Sequence, residues 1–595
     1  MSLQRTIRLL LAPALFAAVV SAPAAVPQLG ETPEQHEERL RWFRDAKFGL
    51  FIHWGPAALS GEEISWGMKD RIEGGQQHMK VPRDEYMNLY RRFNPVKWNP
   101  DALLDLAASA GMKYVVFVTK HHDGFTMWPT RQQRFPEGAA FPVHYSIADT
   151  PYGKDPVRMM QRAAKAHGLR LGWYYSTRDW THPDYLQGDN QIYNAYYENQ
   201  VEELLRDYGP VDLMWFDHTF GRWDLYTIPR LFEKMYTRNP LLLVNNRAAR
   251  GLKDIPPEFT ALDHGDFDTP ENRMGSFQYG KAWESCMILS PHADHGGWSY
   301  RPGGVTRSLT ETLRLLSSAV CGDGNMLLNL APLPDGSIRP EEEAVLKGIA
   351  PWMQKYGRAI HRTRGGPWVN GSWGGSTHRG NRVFLHVFTP GDQPLRLRAL
   401  QQLVVAAATI DGTDIPFAQA GGVVSLTIPA EARDPHVTVV ELTLDQPVTG
   451  PLDGDALVDP IETDPPGTLV LAPAAARLQG GLQAQVREGV ASIGYWGNRE
   501  GTAEWDVGIN SPGTYQVRLS LSNPRSGSKL KLEIAGQTLT VDVPNTGNHD
   551  VYRTVDAGRL TFPNAEQAVL RVSVADQTTW QPANIRHVKL TPSNR

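Results

Sequence analysis

Apolar residues in the first 360 positions fall into short unbroken runs, separated by stretches with helical spacing. The runs at 47–53, 113–119, 170–176, 211–217, 241–244 and 325–330 are almost wholly apolar or aromatic. Runs of this length without polar alternation predict strands buried on both faces, as in a parallel sheet. Between and after them, 101–110, 155–166, 193–207, 228–236, 309–320 and 340–360 carry apolar residues three and four apart, which predicts amphipathic helices. Gly111 and Gly168 stop the first two, and Pro340 followed by acidic residues opens the last. Repeated β-α units from Trp42 to Arg364 predict a (β/α) TIM-like barrel rather than a doubly wound sheet. No Gly-x-Gly-x-x-Gly follows any of the strands, so nothing supports a dinucleotide fold.

After Gly365-Gly366-Pro367 the pattern changes to period two. The segment 382–388 alternates, and short strands recur to Leu444 with Gly and Pro between them, which predicts a small antiparallel β-sandwich. Residues 446–466 are rich in Pro, Asp, Gly and Thr and have little to bury, so they read as a linker. From 467 to 595 a second all-β region contains the period-two strands 514–519 and 529–534. The chain is therefore expected to be multidomain, α/β plus all-β. A catalytic barrel at 26–364, a β-sandwich at 365–445, the linker, and a second β-sandwich at 467–595 follow a leader at 1–25. The leader has Arg5 and Arg8 ahead of the apolar run 9–20, then small residues at Ala22-Pro23-Ala24-Ala25. That is the pattern of an export signal, so a periplasmic or extracellular location is expected. No other stretch approaches 18 apolar residues, and no membrane span is predicted.

Composition narrows the function classes. The net charge of −4 lacks the basic excess of a nucleic-acid binder, and none is expected as a partner. Many of the 17 Trp and 20 Tyr lie beside Gly, Asp or His rather than inside apolar runs, a placement suited to stacking against sugar rings as well as to packing. Cys286 and Cys321 are the only cysteines, so the chain is no disulfide scaffold; the pair is open to bridging or to two buried thiols.

The candidate chemistry lies where the strands end. The ends read His53-Trp54-Gly55, Lys120-His121-His122-Asp123-Gly124-Phe125, Trp173-Tyr174-Tyr175-Ser176, Trp215-Phe216-Asp217-His218 and Asn245-Asn246-Arg247. Packing alone rarely places so many hydrogen-bonding groups on one rim, and the C-terminal rim is where barrel enzymes keep their sites. Asp217 stands out, because a carboxylate behind two aromatic residues is costly to bury unless it is paired or in use. A zinc hydrolase built on His53, His121 and His122 is disfavoured, since neighbours on an extended strand point to opposite faces and no His-x-x-x-His helix occurs. Neither metal nor cofactor is expected.

Taken together, Trp42-Phe43-x-x-x-Lys47-Phe48-Gly49-Leu50-Phe51-Ile52-His53-Trp54-Gly55, Lys120-His121-His122-Asp123-Gly124-Phe125, Tyr174-Tyr175-Ser176 and Trp215-Phe216-Asp217 resemble glycoside hydrolase family 29, the α-L-fucosidases. Asn325-Met326-Leu327-Leu328-Asn329-Leu330-Ala331-Pro332 with Asp335-Gly336 is similar to the family's last barrel strand, and the resemblance covers about residues 30 to 445. It implies a barrel followed by a β-sandwich, and retaining hydrolysis of α-L-fucosides on fucosylated oligosaccharides or glycoconjugates, without cofactor. It also implies Asp217 as nucleophile and substrate contacts from His53, His121, His122, Tyr175, Trp215 and Arg247. Trp66, with Trp283, is a candidate for the apolar wall facing the fucose methyl group. For the acid/base, the window after Arg247 offers Glu258, Asp263, Asp266, Asp268, Glu271 and Glu284. Asp266-Phe267-Asp268-Thr269-Pro270-Glu271 resembles the family segment and favours Glu271, with Glu284 as the alternative. The last region resembles carbohydrate-binding modules through Tyr495, Trp496, Trp580 and Asn584, which are its candidate ligand residues. The sequence leaves linkage, aglycone and oligomeric state open.

Overall fold

In the computed structural model of the chain, the apolar runs become the staves of one parallel sheet. The structure describes residues 31–592 except 71–79, 218, 258, 260–264, 275–279, 293–295, 369, 371–372, 389, 392, 449–467, 488–489, 510 and 526. The expected leader, most of the linker, His218, Glu258 and Asp263 thus lie outside the described residues. The strands are β1 (Phe48–Ile52), β2 (Tyr114–Lys120), β3 (Arg170–Ser176), β4 (Leu213–Asp217), β5 (Leu243–Val244), β6 (Phe267–Asp268), β7 (Ala282–Ile288) and β8 (Asn325–Leu330). They run in the order β5-β4-β3-β2-β1-β8-β7-β6, and a single parallel bridge between Asn245 and Phe267 joins the two ends. The sequence pattern missed β6 and β7. The first is two residues long, and the second, Ala-Trp-Glu-Ser-Cys-Met-Ile, interrupts its apolar run with Glu284 and Ser285.

The helices are α1 (Pro33–Ala46), the short α2 (Arg83–Met87), α3 (Pro100–Ser109), α4 (Pro156–Ala166), α5 (Asn190–Asp207), α6 (Ile228–Arg238), α7 (Leu309–Cys321) and α8 (Pro340–Tyr356). Five of the starts are written in side chains: Thr32 and Gln35 form a capping box on α1, and Asn99, Asp155, Asp189 and Ser308 each accept a backbone N–H at the head of α3, α4, α5 and α7. Among the described residues no α-helix separates β5 from β6 or β6 from β7.

Each strand divides its side chains between two cores. Leu50, Ile52, Val115, Phe117, Trp173, Tyr175, Met214 and Phe216 pack outward against the helices. Phe51, Tyr114, Val116, Val118, Tyr174, Leu213, Trp215, Leu243, Phe267, Cys286 and Leu327 fill the barrel interior. Gly49 is required by this filling: a Cβ there would stand 2.4 Å from the Tyr114 ring. The outward division is broken once in β2, where the register with β3 slips between Val118 and Lys120. The bulge turns Lys120 outward, over the Tyr175 ring at 4.7 Å, and brings the next residue, His121, to the interior side.

A five-stranded antiparallel sheet and a three-stranded one follow. The first has the order β13-β16-β11-β10-β9 and the second β12-β15-β14. Their strands are β9 (Arg364–Gly365), β10 (Gly374–Arg379), β11 (Arg382–Val387), β12 (Leu395–Arg398), β13 (Val404–Thr409), β14 (Phe417–Ala420), β15 (Val423–Leu426) and β16 (Thr438–Leu444). Their shared core contains Trp368, Leu385, Leu397, Leu426 and Leu442, while Phe384, Val437 and Val439 join the helical layer of the barrel. Trp352 of α8 donates to Val437 O at 3.3 Å, so the barrel and this sandwich form one compact unit, 1–460. The second unit, 461–595, is two antiparallel sheets around a core that includes Trp496, Trp505, Leu519, Trp580 and Ile585. Cys286 and Cys321 are buried free thiols, and no described helix is long and apolar enough to cross a membrane.

Candidate active site

Asp217 closes β4 at the C-terminal mouth of the barrel, and both of its carboxylate oxygens are held. Tyr174 donates its phenolic O–H to Oδ2 at 2.8 Å, and Arg247 donates Nη1–H to Oδ1 at 3.0 Å. His122 Nε2 lies 3.5 Å from Oδ2. The carboxylate still keeps 17% of its side-chain surface exposed, so it faces a cavity rather than a sealed core.

Arg247 sits on the single turn Asn246–Ala248 that follows β5. It is fixed by Nε–H to Thr269 Oγ1 at 2.8 Å and Nη2–H to Thr269 O at 2.9 Å. Its Nη2 also reaches Glu271 Oε2 at 3.1 Å, so Asp217 and Glu271 share one guanidinium. Burial works against the arginine's charge, but Glu271 and Asp217 outweigh it and hold its pKa above the ordinary value. The short β5 is made good by a side chain. Asn245 accepts Phe216 N–H at 2.9 Å and donates to Phe216 O at 2.8 Å, imitating the missing backbone ladder beside β4.

Three imidazoles line the other side, each held through Nδ1. His53 Nδ1 meets Asn329 Oδ1 at 2.7 Å, His121 Nδ1 meets Ser65 Oγ at 2.7 Å, and His122 Nδ1 meets Ser176 Oγ at 2.6 Å. Asn329 donates its amide to Trp298 O at 2.8 Å, which leaves its oxygen to accept from His53 and places that ring's proton on Nδ1. Burial lowers all three imidazole pKa values, that of His53 to about 4, so the rings are neutral near pH 7 and offer Nε2 to hydroxyl groups. The rings of His121 and His122 lie 4.1 Å apart, and His121 stacks on Tyr174 at 5.5 Å. The two do not point to opposite faces, as strand alternation would have it, because the strand has ended and the bulge has re-aimed the turn. The ligand atoms of His121, His122 and Asp217 fall within 4.8 Å of one another, a spacing that a small cation could bridge only in competition with Tyr174 and Arg247.

The structure therefore gathers Asp217, His53, His121, His122, Trp215 and Arg247, with Glu271 on the same guanidinium. Trp66 joins them, half-buried and edge-on to His122 at 5.7 Å. It does not bring in Tyr175, which points to the helical layer and donates to Gln200 Oε1 at 2.8 Å. The residue that faces the cavity is its neighbour Tyr174, in register with Trp215. Trp283 is likewise on the outer face, with its indole N–H on Gly322 O. Two carboxylates of the acid/base window are engaged elsewhere: Asp266 is buried with Arg39 and His36 of α1, and Asp268 pairs with Lys281. Glu284 is fully buried below Trp215, whereas the Glu271 side chain is 44% exposed at the rim. Of these two acid/base candidates, Glu271 is thus the one open to solvent. In the second unit Trp496 and Trp580 are a buried edge-to-face pair at 5.4 Å, and Asn584 is buried with its amide on His549 O. Of the four candidates there only Tyr495 is open to solvent, at 65%, so these four do not form a paired aromatic platform.

Residues that the sequence reading missed are Tyr174, Asn329 and Trp298, whose ring lies 5.0 Å from that of His53. Asn329 left a trace, as a polar residue two positions after inward Leu327 that breaks the apolar run following Asn325. Tyr174 was hidden because the register between β3 and β4 is needed to tell it from Tyr175.

A family model described as alpha-L-fucosidase matches residues 18–358, and one described as a domain of unknown function matches 482–594. The chain is similar to tissue alpha-L-fucosidase of Macaca fascicularis, 29% identical over 60% of this chain and 77% of that protein. Among solved structures it is similar to alpha-L-fucosidase isoenzyme 1 from Paenibacillus thiaminolyticus, with a TM-score of 0.60 and 29% identity over 69% of this chain and 100% of that one. An alpha-L-fucosidase from Bacteroides thetaiotaomicron, described as a trapped covalent intermediate with 2-fluoro-fucosyl fluoride, has a TM-score of 0.58 and 26% identity. It covers 68% of this chain and 96% of its own.

Proposed function

The chain belongs to the α-L-fucosidase family of glycoside hydrolases, and from that membership we propose that it cleaves terminal α-L-fucose from fucosylated oligosaccharides or glycoconjugates by double displacement at Asp217. The observation that carries this reading is the shared guanidinium: Arg247 holds Asp217 on Nη1 at 3.0 Å and Glu271 on Nη2 at 3.1 Å, bringing two carboxylates to one side chain at the barrel mouth. Retaining glycosidases need such a pair, about 5–5.5 Å apart.

In the first step an Asp217 oxygen attacks the anomeric carbon, the C1–O bond to the aglycone breaks, and Glu271 protonates the departing oxygen. In the second, Glu271 takes a proton from water, water attacks C1, and Asp217 leaves as a carboxylate. Neutral His53, His121 and His122 each present one nitrogen to the sugar hydroxyls, and Trp66 supplies an apolar edge for the methyl group. Export through the leader, supported by Arg5, Arg8 and the apolar run behind them, places the reaction outside the cytoplasm. The covalent species named for the Bacteroides thetaiotaomicron relative suggests the test. Treatment with 2-fluoro-fucosyl fluoride followed by peptide mapping should locate a fucosyl adduct on Asp217, and an adduct on any other carboxylate refutes the mechanism.

A further inference from the structure

Glu284 lies inside the barrel, fully buried, on the interior face of β7. Its Oε1 accepts Trp215 Nε1–H at 3.0 Å, and its Oε2 accepts the Tyr114 hydroxyl. A carboxyl group is an expensive way to fill such a space, since apolar and aromatic side chains make up most of the interior core and burial penalises the charge. What it does there is visible one layer up. Trp215, whose single polar hydrogen is committed to Glu284, carries Arg247 over its ring at 4.7 Å and stacks on Tyr174 at 5.5 Å with 21° between planes. Arg247 and Tyr174 are the two groups that hold the two oxygens of Asp217.

We propose that Glu284 is a positioning residue for the nucleophile: it fixes the Trp215 plane, and through that plane the Arg247–Tyr174 clamp on Asp217. The proposal rests on the reading of Asp217 as nucleophile. It also gives the clamp a pH response. Burial pushes the Glu284 carboxyl up to about 7, against the bonds from Tyr114 and Trp215 and the charge of Arg247. The charged and titratable groups that face it are Tyr114 from β2, Arg247 from the turn after β5, and Cys286 two residues along its own strand. Tyr114 and Cys286 are pushed up by burial and stay neutral, and Arg247 stays charged, so Glu284 alone among them changes charge near neutrality. Its ionisation adds a negative charge beneath the guanidinium that serves Asp217 and Glu271.

The test is steady-state kinetics of Glu284→Gln and Glu284→Leu on an aryl α-L-fucoside between pH 5 and 9. Glu284→Gln keeps the shape and cannot ionise, so its kcat profile should lose a bend near pH 7 that the wild type shows. Glu284→Leu removes both acceptors, and kcat should fall about tenfold or more while KM changes little, because alignment of the nucleophile is lost and not sugar binding. A bend that persists in Glu284→Gln overturns the proposal, as does an unchanged kcat in Glu284→Leu. If the leucine variant does not fold, the glutamine profile decides. Rescue of either variant by azide would instead make Glu284 the acid/base. Both variants are also trapped with 2-fluoro-fucosyl fluoride. An adduct away from Asp217 refutes the nucleophile assignment, whereas an adduct on Asp217 with wild-type pH behaviour refutes the positioning role alone.

Discussion

Tyr174 and Tyr175 are chemically identical neighbours on one strand, and the structure gives them different work. Replacing each by Phe deletes one hydroxyl and leaves the ring. In Tyr174→Phe the lost bond is the 2.8 Å contact to Asp217 Oδ2. A hydrogen bond to a charged group contributes about 1.5–3 kcal/mol, and its loss removes the shorter of the two described contacts of Oδ2, the other being His122 Nε2 at 3.5 Å. If most of that energy serves alignment for attack, kcat/KM should fall roughly tenfold to a hundred-and-fiftyfold. Stability should change little, because Asp217 keeps Arg247 and part of its surface meets solvent. In Tyr175→Phe the lost bond is to Gln200 Oε1, at 2.8 Å in a fully buried layer. An orphaned buried acceptor costs about 1–3 kcal/mol of stability, and no contact with the cavity is touched. Paired measurements of kcat/KM on an aryl α-L-fucoside and of calorimetric unfolding should separate the two: Tyr174→Phe loses catalysis and Tyr175→Phe loses stability. The reverse pattern, with catalysis failing in Tyr175→Phe alone, would refute the register between β3 and β4 from which the argument starts.

If Glu271 is the acid/base, Glu271→Ala should lose far more activity on fucosylated oligosaccharides than on aryl fucosides with good leaving groups. Azide should restore its turnover and yield a β-fucosyl azide; no rescue would place the acid/base elsewhere. Glu342, at the start of α8, is buried with Ser290 Oγ–H on its Oε1, and burial pushes its pKa from 4.5 to about 7. Because the folded value is the higher one, its contribution is fully present below about pH 4.5 and disappears as pH rises through 7. Glu342→Gln should therefore remove about 3 kcal/mol of pH-dependent stability between pH 5 and 8, read from unfolding midpoints; an unchanged slope would show that the carboxyl is not buried as described. A chain ending at Val448, which still donates its N–H to Gly380 O, should retain activity on an aryl fucoside; loss of activity in a folded product would give the second unit a part in the chemistry.

Much of this was legible in the residues alone. Six of the eight barrel strands announced themselves as apolar runs, because a strand covered on both faces has no room for polar alternation. The strand-end positions of His53, Asp217 and Arg247 were visible for the same reason: each marks the point where an apolar run stops. Helix starts were local too, since a cap is satisfied within three or four residues. What the tertiary structure alone decided is which way side chains face. The bulge between Val118 and Lys120, set by pairing with β3, puts His121 and His122 in one cavity and sends Lys120 outward. The register of β3 against β4 selects Tyr174 over Tyr175. Burial separates Glu271 at the rim from Glu284 beneath the floor, and it makes Trp496 and Trp580 core where the sequence suggested a sugar platform. The strand β6 was unreadable because the bridge from Asn245 to Phe267 and the buried Arg39–Asp266 pair, 227 residues apart along the chain, hold it in place rather than any pattern of its own. Facing and burial are properties of a residue's neighbours in space, and a pattern read along one strand holds no information about the strand beside it.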